Sequence, residues 1–158
     1  MEFLEKIKDI ITEFTHRKIT LAIAESCTGG YISNMFTNIS GASKVFERGI
    51  ICYSNASKIE LLNVDPESIN QNGAVSETVA KQLANNIRVL SNVDIGIGIT
   101  GIAGPTGGTS EKPVGLVYIG ISTFDKTFVE KHHFNADRIT FKTKILEEIL
   151  LLLQNYVK

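Results

Sequence analysis

The chain passes from an apolar run into a run of helical character through Ala24-Glu25-Ser26-Cys27-Thr28-Gly29-Gly30. Residues 19–23 before this turn read as a buried strand, so Ser26 is expected at a strand's carboxyl end. Open α/β sheets place their ligands at such ends. We expect the amides of Cys27, Thr28 and Gly29 to be unpaired donors in a helix's first turn, a site suited to a phosphate or a developing oxyanion.

Hydrophobic periodicity predicts helices and strands along the rest of the chain. The predicted helices cover residues 2–16, about 28–37, a segment from 54 that is broken at Asp65-Pro66, a segment from 76, and a long final helix after 135–137. The predicted strands cover residues 19–25, 46–53, 93–100, 114–122 and 127–134, with a glycine-rich loop at 101–113. This order predicts a three-layer α/β/α sandwich with a mixed central sheet, and the length favours a single domain over 1–158.

Composition narrows the class of protein. The chain is 43% apolar and 21% charged with a net charge of −1, and without a dense Lys/Arg block we expect no nucleic-acid partner. The acidic residues at its amino terminus are not expected to belong to a signal peptide, and without an apolar run near the ~20 residues that span a bilayer no membrane partner is expected. Cys27 and Cys52 fit neither a disulfide framework nor a metal site, which predicts a reducing cytoplasm, no metal and no cofactor. A homo-oligomer is expected, with a dimer as the commonest case.

Two polar residues are candidates for nucleophile and base. Ser26 is either a nucleophile or simply a helix N-cap, and the Gly-x-Ser-x-Gly pattern of common hydrolases is absent around it. Lys58 ends the segment Tyr53-Ser54-Asn55-Ala56-Ser57-Lys58. It can act as a base only if burial or a nearby cation lowers its pKa, and otherwise it is a solvated helix lysine.

Three further features have two interpretations each. The loop that begins Thr100-Gly101-Ile102-Ala103-Gly104-Pro105 can cradle an anion or be a flexible surface loop. It lacks the Gly-Lys-Ser/Thr ending of a nucleoside-triphosphate loop. Arg138 is either a phosphate clamp or a solvated residue. Cys27 with His132 or His133 is an alternative nucleophile–base pair, although neighbouring strand residues point to opposite faces and only one histidine can serve.

Together, these segments resemble the carboxy-terminal domain of the CinA (competence/damage-inducible) family of nicotinamide-nucleotide amidases. The matching motifs are AESCTGG at 24–30, ISGAS at 39–43, YSNASK at 53–58, GAVSE at 73–77, TGIAGPTGG at 100–108, EKPVG at 111–115 and Asp-Arg at 137–138. They occur in order across nearly the whole chain. The family's separate amino-terminal domain has no counterpart here, so the resemblance implies the stand-alone form.

The resemblance implies hydrolysis of the carboxamide of nicotinamide mononucleotide to nicotinate mononucleotide and ammonia, without a cofactor. It implies Ser26 as the nucleophile, Lys58 as its base and Tyr53 as an aid to proton transfer. The oxyanion is expected on the amides of Cys27 and Thr28. The implied substrate-binding residues are Gly29, Gly30, Ser43, Thr100, Gly101, Ala103, Gly104 and Arg138. A non-catalytic nucleotide-binding module and an amidase for another small carboxamide remain open alternatives.

Overall fold

The computed structural model describes residues 2–158, which form a five-stranded sheet flanked by helices. The strands are β1 (Leu21–Glu25), β2 (Phe46–Ile51), β3 (Ile95–Gly101), β4 (Leu116–Ser122) and β5 (Thr127–His133). The helices are α1 (Glu2–Arg17), α2 (Tyr31–Thr37), α3 (Asn55–Leu62), α4 (Pro66–Asn72), α5 (Glu77–Ser91) and α6 (Arg138–Tyr156). Over residues 2–158, no helix combines the length and apolarity needed to cross a membrane.

The sheet has the strand order β2-β1-β3-β4-β5. Strand β1 is parallel to both β2 and β3, whereas β4 and β5 add in antiparallel fashion. Because β1, β2 and β3 run in the same direction, their carboxyl ends meet at one edge of the sheet. The segments that follow these three strands are therefore brought together there.

Alternation along β1 divides the core into two layers. Leu21 and Ile23 face a cluster built with α1, α2 and α6, whereas Ala22 and Ala24 face a cluster built with α3 and α5. Successive strand residues point to opposite faces, so a strand buried on both sides has no polar alternation. The predicted three-layer α/β/α sandwich with a mixed sheet is confirmed.

The sequence prediction is wrong at several boundaries. No helix was expected after Asp65-Pro66, yet α4 begins there, because the Asp65 side chain caps the amide of Glu67 and proline suits a helix's first position. The preceding helix ends instead at Asn63, which adopts a left-handed φ of 51°. Helix α2 begins at Tyr31 rather than near 28, because residues 26–30 form a turn. Strand β2 ends two residues early, at Ile51.

Glycines in β3 let helix α5 lie directly on the sheet. Ile95, Ile97 and Ile99 point into the α1/α6 layer, so the intervening Gly96 and Gly98 face α5. A Cβ on Gly98 would lie 2.4 Å from the Ala84 nitrogen and 2.7 Å from the Ala80 oxygen. Both contacts are with backbone atoms of α5, which cannot move aside as a flexible side chain can. The two glycines therefore set the spacing between this helix and the sheet.

We expect Gly98→Ala to lower the free energy of unfolding by about 3 kcal/mol, because the added methyl overpacks a backbone contact. Chemical denaturation measures this difference. In the double variant Gly98→Ala with Leu83→Ala, the Leu83 Cβ and both backbone contacts remain and a buried side chain is lost, so its stability should be lower still and not restored. Wild-type stability in the single variant would contradict the close approach of α5.

Candidate active site

A cavity of about 260 Å³ lies where the carboxyl ends of the parallel strands meet. The Ser26 amide donates to the Ile99 carbonyl at 3.1 Å, and the Cys52 amide donates to the Glu25 carbonyl at 2.8 Å. These bonds join the segments that leave β1, β2 and β3. We call the space the strand-end cavity; it is lined by Ser26, Cys27, Tyr53, Asn55, Lys58, Ala74, Val75, Thr100, Gly101, Ile102, Ala103, Gly104, Thr106, Gly107 and Arg138.

The central contact of the strand-end cavity joins Lys58 to Ser26. The Lys58 Nζ lies 2.9 Å from the Ser26 Oγ, 2.9 Å from the Cys52 carbonyl oxygen and 3.2 Å from the Tyr53 carbonyl oxygen. Ser54 caps α3 by accepting the Ser57 amide at 3.0 Å, and this start places Lys58 on the inward side of the helix. Lys58 is only 1% exposed, which excludes its interpretation as a solvated helix lysine.

Burial of the Lys58 amine favours its neutral form. Burial is the main cause that lowers the pKa of Lys58 below its ordinary value of 10.5. A neutral amine has two N–H donors and one lone pair, and its two carbonyl neighbours can only accept. When both N–H groups bond to the carbonyls of Cys52 and Tyr53, the lone pair is left for the Ser26 hydroxyl. The amine can then receive the proton of that hydroxyl.

Ser26 is not the N-cap of α2, because Gly30 occupies that position. Its hydroxyl bonds instead to Lys58 at 2.9 Å, and the side chain lies on the wall of the strand-end cavity. A serine beside a neutral amine, facing a cavity, has the arrangement of an activated nucleophile.

The sequence predicts unpaired amides, open to an external anion, at the start of α2. In the structure the first turn of α2 is closed to such an anion. The Glu25 carboxylate accepts the amides of Gly30, Ile32 and Ser33, and the Gly29 amide donates to the Ser26 carbonyl at 3.1 Å. Among residues 2–158, the amides of Cys27 and Thr28 have no acceptor on another residue. Of these two residues, Cys27 lines the strand-end cavity, whereas Thr28 is fully buried.

The alternative pair of Cys27 with a histidine is not assembled. Burial raises the pKa of the Cys27 thiol to about 12, so the thiol stays protonated and is a poor nucleophile. The His132 ring bonds to Glu130 at 3.0 Å, and the His133 ring bonds to the Val114 carbonyl at 2.9 Å. Neither histidine lines the strand-end cavity.

Hydrogen bonds hold the far wall of the strand-end cavity. The Thr100 hydroxyl donates to the Ala74 carbonyl at 2.9 Å, which ties the end of β3 to the segment before α5. The Arg138 Nε donates to the Gly104 carbonyl at 3.0 Å, which ties the start of α6 to the glycine-rich loop. That bond occupies one donor of the guanidinium group, and its remaining N–H donors are available to a ligand.

Tyr53 has two separate roles in this geometry. Its carbonyl oxygen, not its phenol, contacts Lys58. Its side chain is 60% exposed at the edge of the strand-end cavity. The phenol is therefore placed to meet a bound molecule or water, and it does not bond to the Ser26–Lys58 pair.

Four residues that the resemblance implied as site residues do not line the strand-end cavity: Thr28, Gly29, Gly30 and Ser43. Thr28 is fully buried, and a Cβ on Gly30 would lie 3.0 Å from the Ile51 side chain, behind the turn. Ser43 lies in a 3-10 turn just before β2, beside a separate surface depression. It is thus at the amino end of β2, whereas the strand-end cavity is at the carboxyl ends. Substrate contacts by these four residues are not supported by this geometry.

Several cavity residues were not assigned individually from the sequence: Asn55, Ala74, Val75, Ile102, Thr106 and Gly107. All of them belong to the quoted motifs at 53–58, 73–77 and 100–108. Motif membership was therefore the signal that could have identified them. The motif as a whole did not distinguish side chains that face the cavity from those that face the core.

Potential metal ligands lie outside the strand-end cavity. The ligand atoms of Glu130, His132 and Glu148 lie within 4.8 Å of one another, and all three residues are partly buried. The His132 ring is already bonded to Glu130 and stacks on Phe134, with ring centroids 5.5 Å apart. The group lies where β5 packs near α6, remote from the Ser26–Lys58 pair in the topology.

Comparison with known proteins identifies the relatives of the chain. Residues 4–157 match the family model described as the CinA C-terminal domain. A CinA-like protein of Syntrophus aciditrophicus is 45% identical over 144 residues, which are 90% of this chain and 34% of that protein. A CinA-like protein of Kosmotoga olearia is 47% identical over 135 residues, 85% of this chain and 33% of that protein. The chain thus spans about a third of the length of these curated relatives.

A solved structure shares the whole architecture. The competence/damage inducible protein CihA from Agrobacterium tumefaciens superposes with a TM-score of 0.95 at 33% identity, covering 100% of this chain and 97% of that one. The sequence match and the shared fold agree over nearly all of the described residues. The chain therefore belongs to the CinA family and corresponds to its C-terminal domain.

Proposed function

We propose that this chain is an amidase that hydrolyses the carboxamide of nicotinamide mononucleotide to nicotinate mononucleotide and ammonia. The observation that carries the proposal is the contact of 2.9 Å between the buried Lys58 amine and the Ser26 hydroxyl at the wall of the strand-end cavity. The motifs shared with nicotinamide-nucleotide amidases supply the choice of substrate. Serine–lysine pairs are a known variant of the serine–histidine arrangement.

In the first half of the reaction, the Ser26 oxygen attacks the carboxamide carbon while its proton passes to the Lys58 amine. The carbonyl electron pair moves onto oxygen, and the amide of Cys27, which lines the cavity, stabilises the oxyanion. One such donor typically lowers the activation free energy by about 3 kcal/mol. The oxyanion then collapses, the carbon–nitrogen bond breaks, and the nitrogen leaves as ammonia with a proton from Lys58 or the Tyr53 phenol.

In the second half, water attacks the resulting ester on Ser26 and gives a proton to Lys58. The ester bond breaks, and the Ser26 oxygen takes that proton back. The products are the nicotinate carboxyl group and the original serine–lysine pair. Every proton is exchanged among groups within the strand-end cavity, so this chain's own residues suffice for the sequence of steps.

The phosphate of the nucleotide is assigned to Arg138 and the glycine-rich loop. Arg138 lines the strand-end cavity, and its Nε is fixed to the Gly104 carbonyl, so the rest of its planar donor set is held in one orientation. A guanidinium group that is oriented in advance binds phosphate through paired, charge-assisted hydrogen bonds. Anchoring the phosphate there positions the carboxamide relative to Ser26.

We expect Ser26→Ala and Lys58→Ala each to lower ammonia release from nicotinamide mononucleotide more than about 1,000-fold, because each removes one member of a pair that acts as a unit. The assay is ammonia detection on folded protein. Lys81→Ala, an exposed lysine on α5, is the control and should retain full activity. Wild-type rates in either site variant would remove that residue from its role. Nucleotide binding without ammonia release by the wild type would favour a non-catalytic binding module.

The lowered pKa of Lys58 has a consequence for stability. Between that lowered pKa and 10.5, the unfolded chain holds a proton at Lys58 that the folded chain lacks. The unfolding free energy of wild type relative to Lys58→Met should therefore rise with pH, by about 1.4 kcal/mol for each pH unit across this interval, and level off outside it. Denaturant titrations at several pH values measure this difference. A flat difference would mean that Lys58 titrates normally.

In parallel, kcat/KM should rise with pH through the same lowered pKa of Lys58, because only the neutral amine can accept the serine proton.

We expect Arg138→Ala to raise the KM for nicotinamide mononucleotide roughly 10- to 100-fold, because it removes charged hydrogen bonds to the phosphate. Turnover of nicotinamide riboside, which has no phosphate, should be unchanged. Lys144→Ala, which removes an exposed charge elsewhere on α6, is the matched control. Equal losses on both substrates would contradict phosphate recognition by Arg138.

A further inference from the structure

Glu25 is a fully buried carboxylate that the steps above do not use. One oxygen accepts the amides of Gly30 at 3.0 Å and Ile32 at 3.2 Å. The other accepts the Ser33 amide at 2.7 Å and the Ser33 hydroxyl at 2.6 Å. Across residues 2–158, no lysine, arginine or histidine nitrogen lies within 4 Å of this carboxylate. Its charge is thus compensated by the amino end of α2 and not by a cation.

The three backbone amide bonds to Glu25 close a loop around the reacting atoms. Glu25 is the last residue of β1, and its partners lie in and just before the first turn of α2. The intervening residues 26–29 contain both the Ser26 hydroxyl and the unpaired amides of Cys27 and Thr28. With the strand at one end and the side-chain bonds at the other, this segment is held on both sides.

We propose that Glu25 is a positioning residue, whose carboxylate fixes the turn after Ser26 and so orients the Cys27 amide to receive the oxyanion. This inference rests on the proposed amidase function. A carboxylate has no N–H, so both of its oxygens can accept the converging donors. A glutamine keeps one acceptor oxygen and turns an NH₂ group toward backbone N–H groups, which leaves donors facing donors inside the protein. The turn must then shift.

The expected effect of Glu25→Gln is on kcat and not on KM, because the oxyanion forms only after the substrate has bound. Negative charge on the carbonyl oxygen develops in the transition state and is absent from bound substrate, so misplaced amides slow turnover without weakening binding. We expect Glu25→Gln to lower kcat about 100-fold and to leave KM within about threefold. The pH dependence of kcat/KM should keep its position, because the carbonyls that hold Lys58 belong to Cys52 and Tyr53.

Ser33→Ala is the matched control. It removes only the hydroxyl bond and keeps the carboxylate and its three amide partners, so kcat should stay within about threefold of wild type. Thermal unfolding checks that both variants fold. If Glu25→Gln does not fold, Glu25→Asp replaces it, since aspartate keeps the charge but ends ~1.5 Å short of the amides. The same loss of kcat with unchanged KM is expected.

Labelling by a fluorophosphonate separates this inference from the choice of substrate. In that reaction the Ser26 oxygen bonds to phosphorus, fluoride leaves, and the serine proton passes to Lys58. The negative charge that develops on the phosphoryl oxygen is stabilised by the same amide donor. If wild type releases no ammonia but labels at Ser26, the substrate assignment fails, and about 100-fold slower labelling of Glu25→Gln still supports the positioning role. Unchanged labelling and kcat in that variant, an equal loss in Ser33→Ala, a loss expressed in KM, or an unlabelled wild type would each overturn it.

Discussion

The buried contact between an amine and a hydroxyl governs the organisation of the strand-end cavity. A lysine amine removed from water is costly unless its hydrogen-bonding groups are satisfied. Here the chain supplies two carbonyls, those of Cys52 and Tyr53, at the point where β2 gives way to α3. These carbonyls come from the segment that precedes the helix bearing Lys58, so its partners are largely local. Ser26 is the one partner that comes from another strand, and it makes the local arrangement a site.

Glu25 connects the two halves of the site. Its carbonyl accepts the Cys52 amide, while the Cys52 carbonyl accepts the Lys58 amine, so the lysine is indirectly tied to the end of β1. Its side chain fills the amino end of α2. An internal carboxylate at that position excludes a phosphate from a helix end that otherwise attracts anions. An anionic substrate is therefore left with the opposite wall of the strand-end cavity, where Arg138 starts α6.

Local sequence patterns explain how much of this could be predicted. Helices α1 and α5 have long apolar stripes, and β1 is a continuous apolar run, so both their existence and their faces were predictable. The short helix α4 was missed because Asp65-Pro66 was interpreted only as a helix break, whereas Asp65 caps α4 and Pro66 begins it; α3 has already ended at Leu62. The position of Ser26 at the strand's carboxyl end was predictable from the turn after it. The hydrogen bonds between Glu25 and the amino end of α2 were not predictable, because no local pattern determines whether a glutamate at the end of a strand points to solvent or to the next helix. The position of Ser43 at the amino end of β2 could not be predicted, because a motif gives order along the chain and not the end of the strand at which a residue lies.

The two sets of backbone dipoles around Ser26 explain why a neutral pair can begin a reaction that separates charge. In the proposed reaction the resting pair is uncharged, and burial favours this form by lowering the pKa of Lys58. The proposed attack creates an ammonium at Lys58 and an oxyanion near Ser26, and each charge is costly away from bulk water. Two carbonyl oxygens already contact the Lys58 amine, and the Cys27 amide, which has no acceptor on another residue, lies directly after Ser26. Groups that are in place before charge forms need little reorganisation when it does. Lowering the basicity of the lysine is tolerable for this reason, because the surrounding dipoles stabilise the charged pair more than they stabilise the resting one.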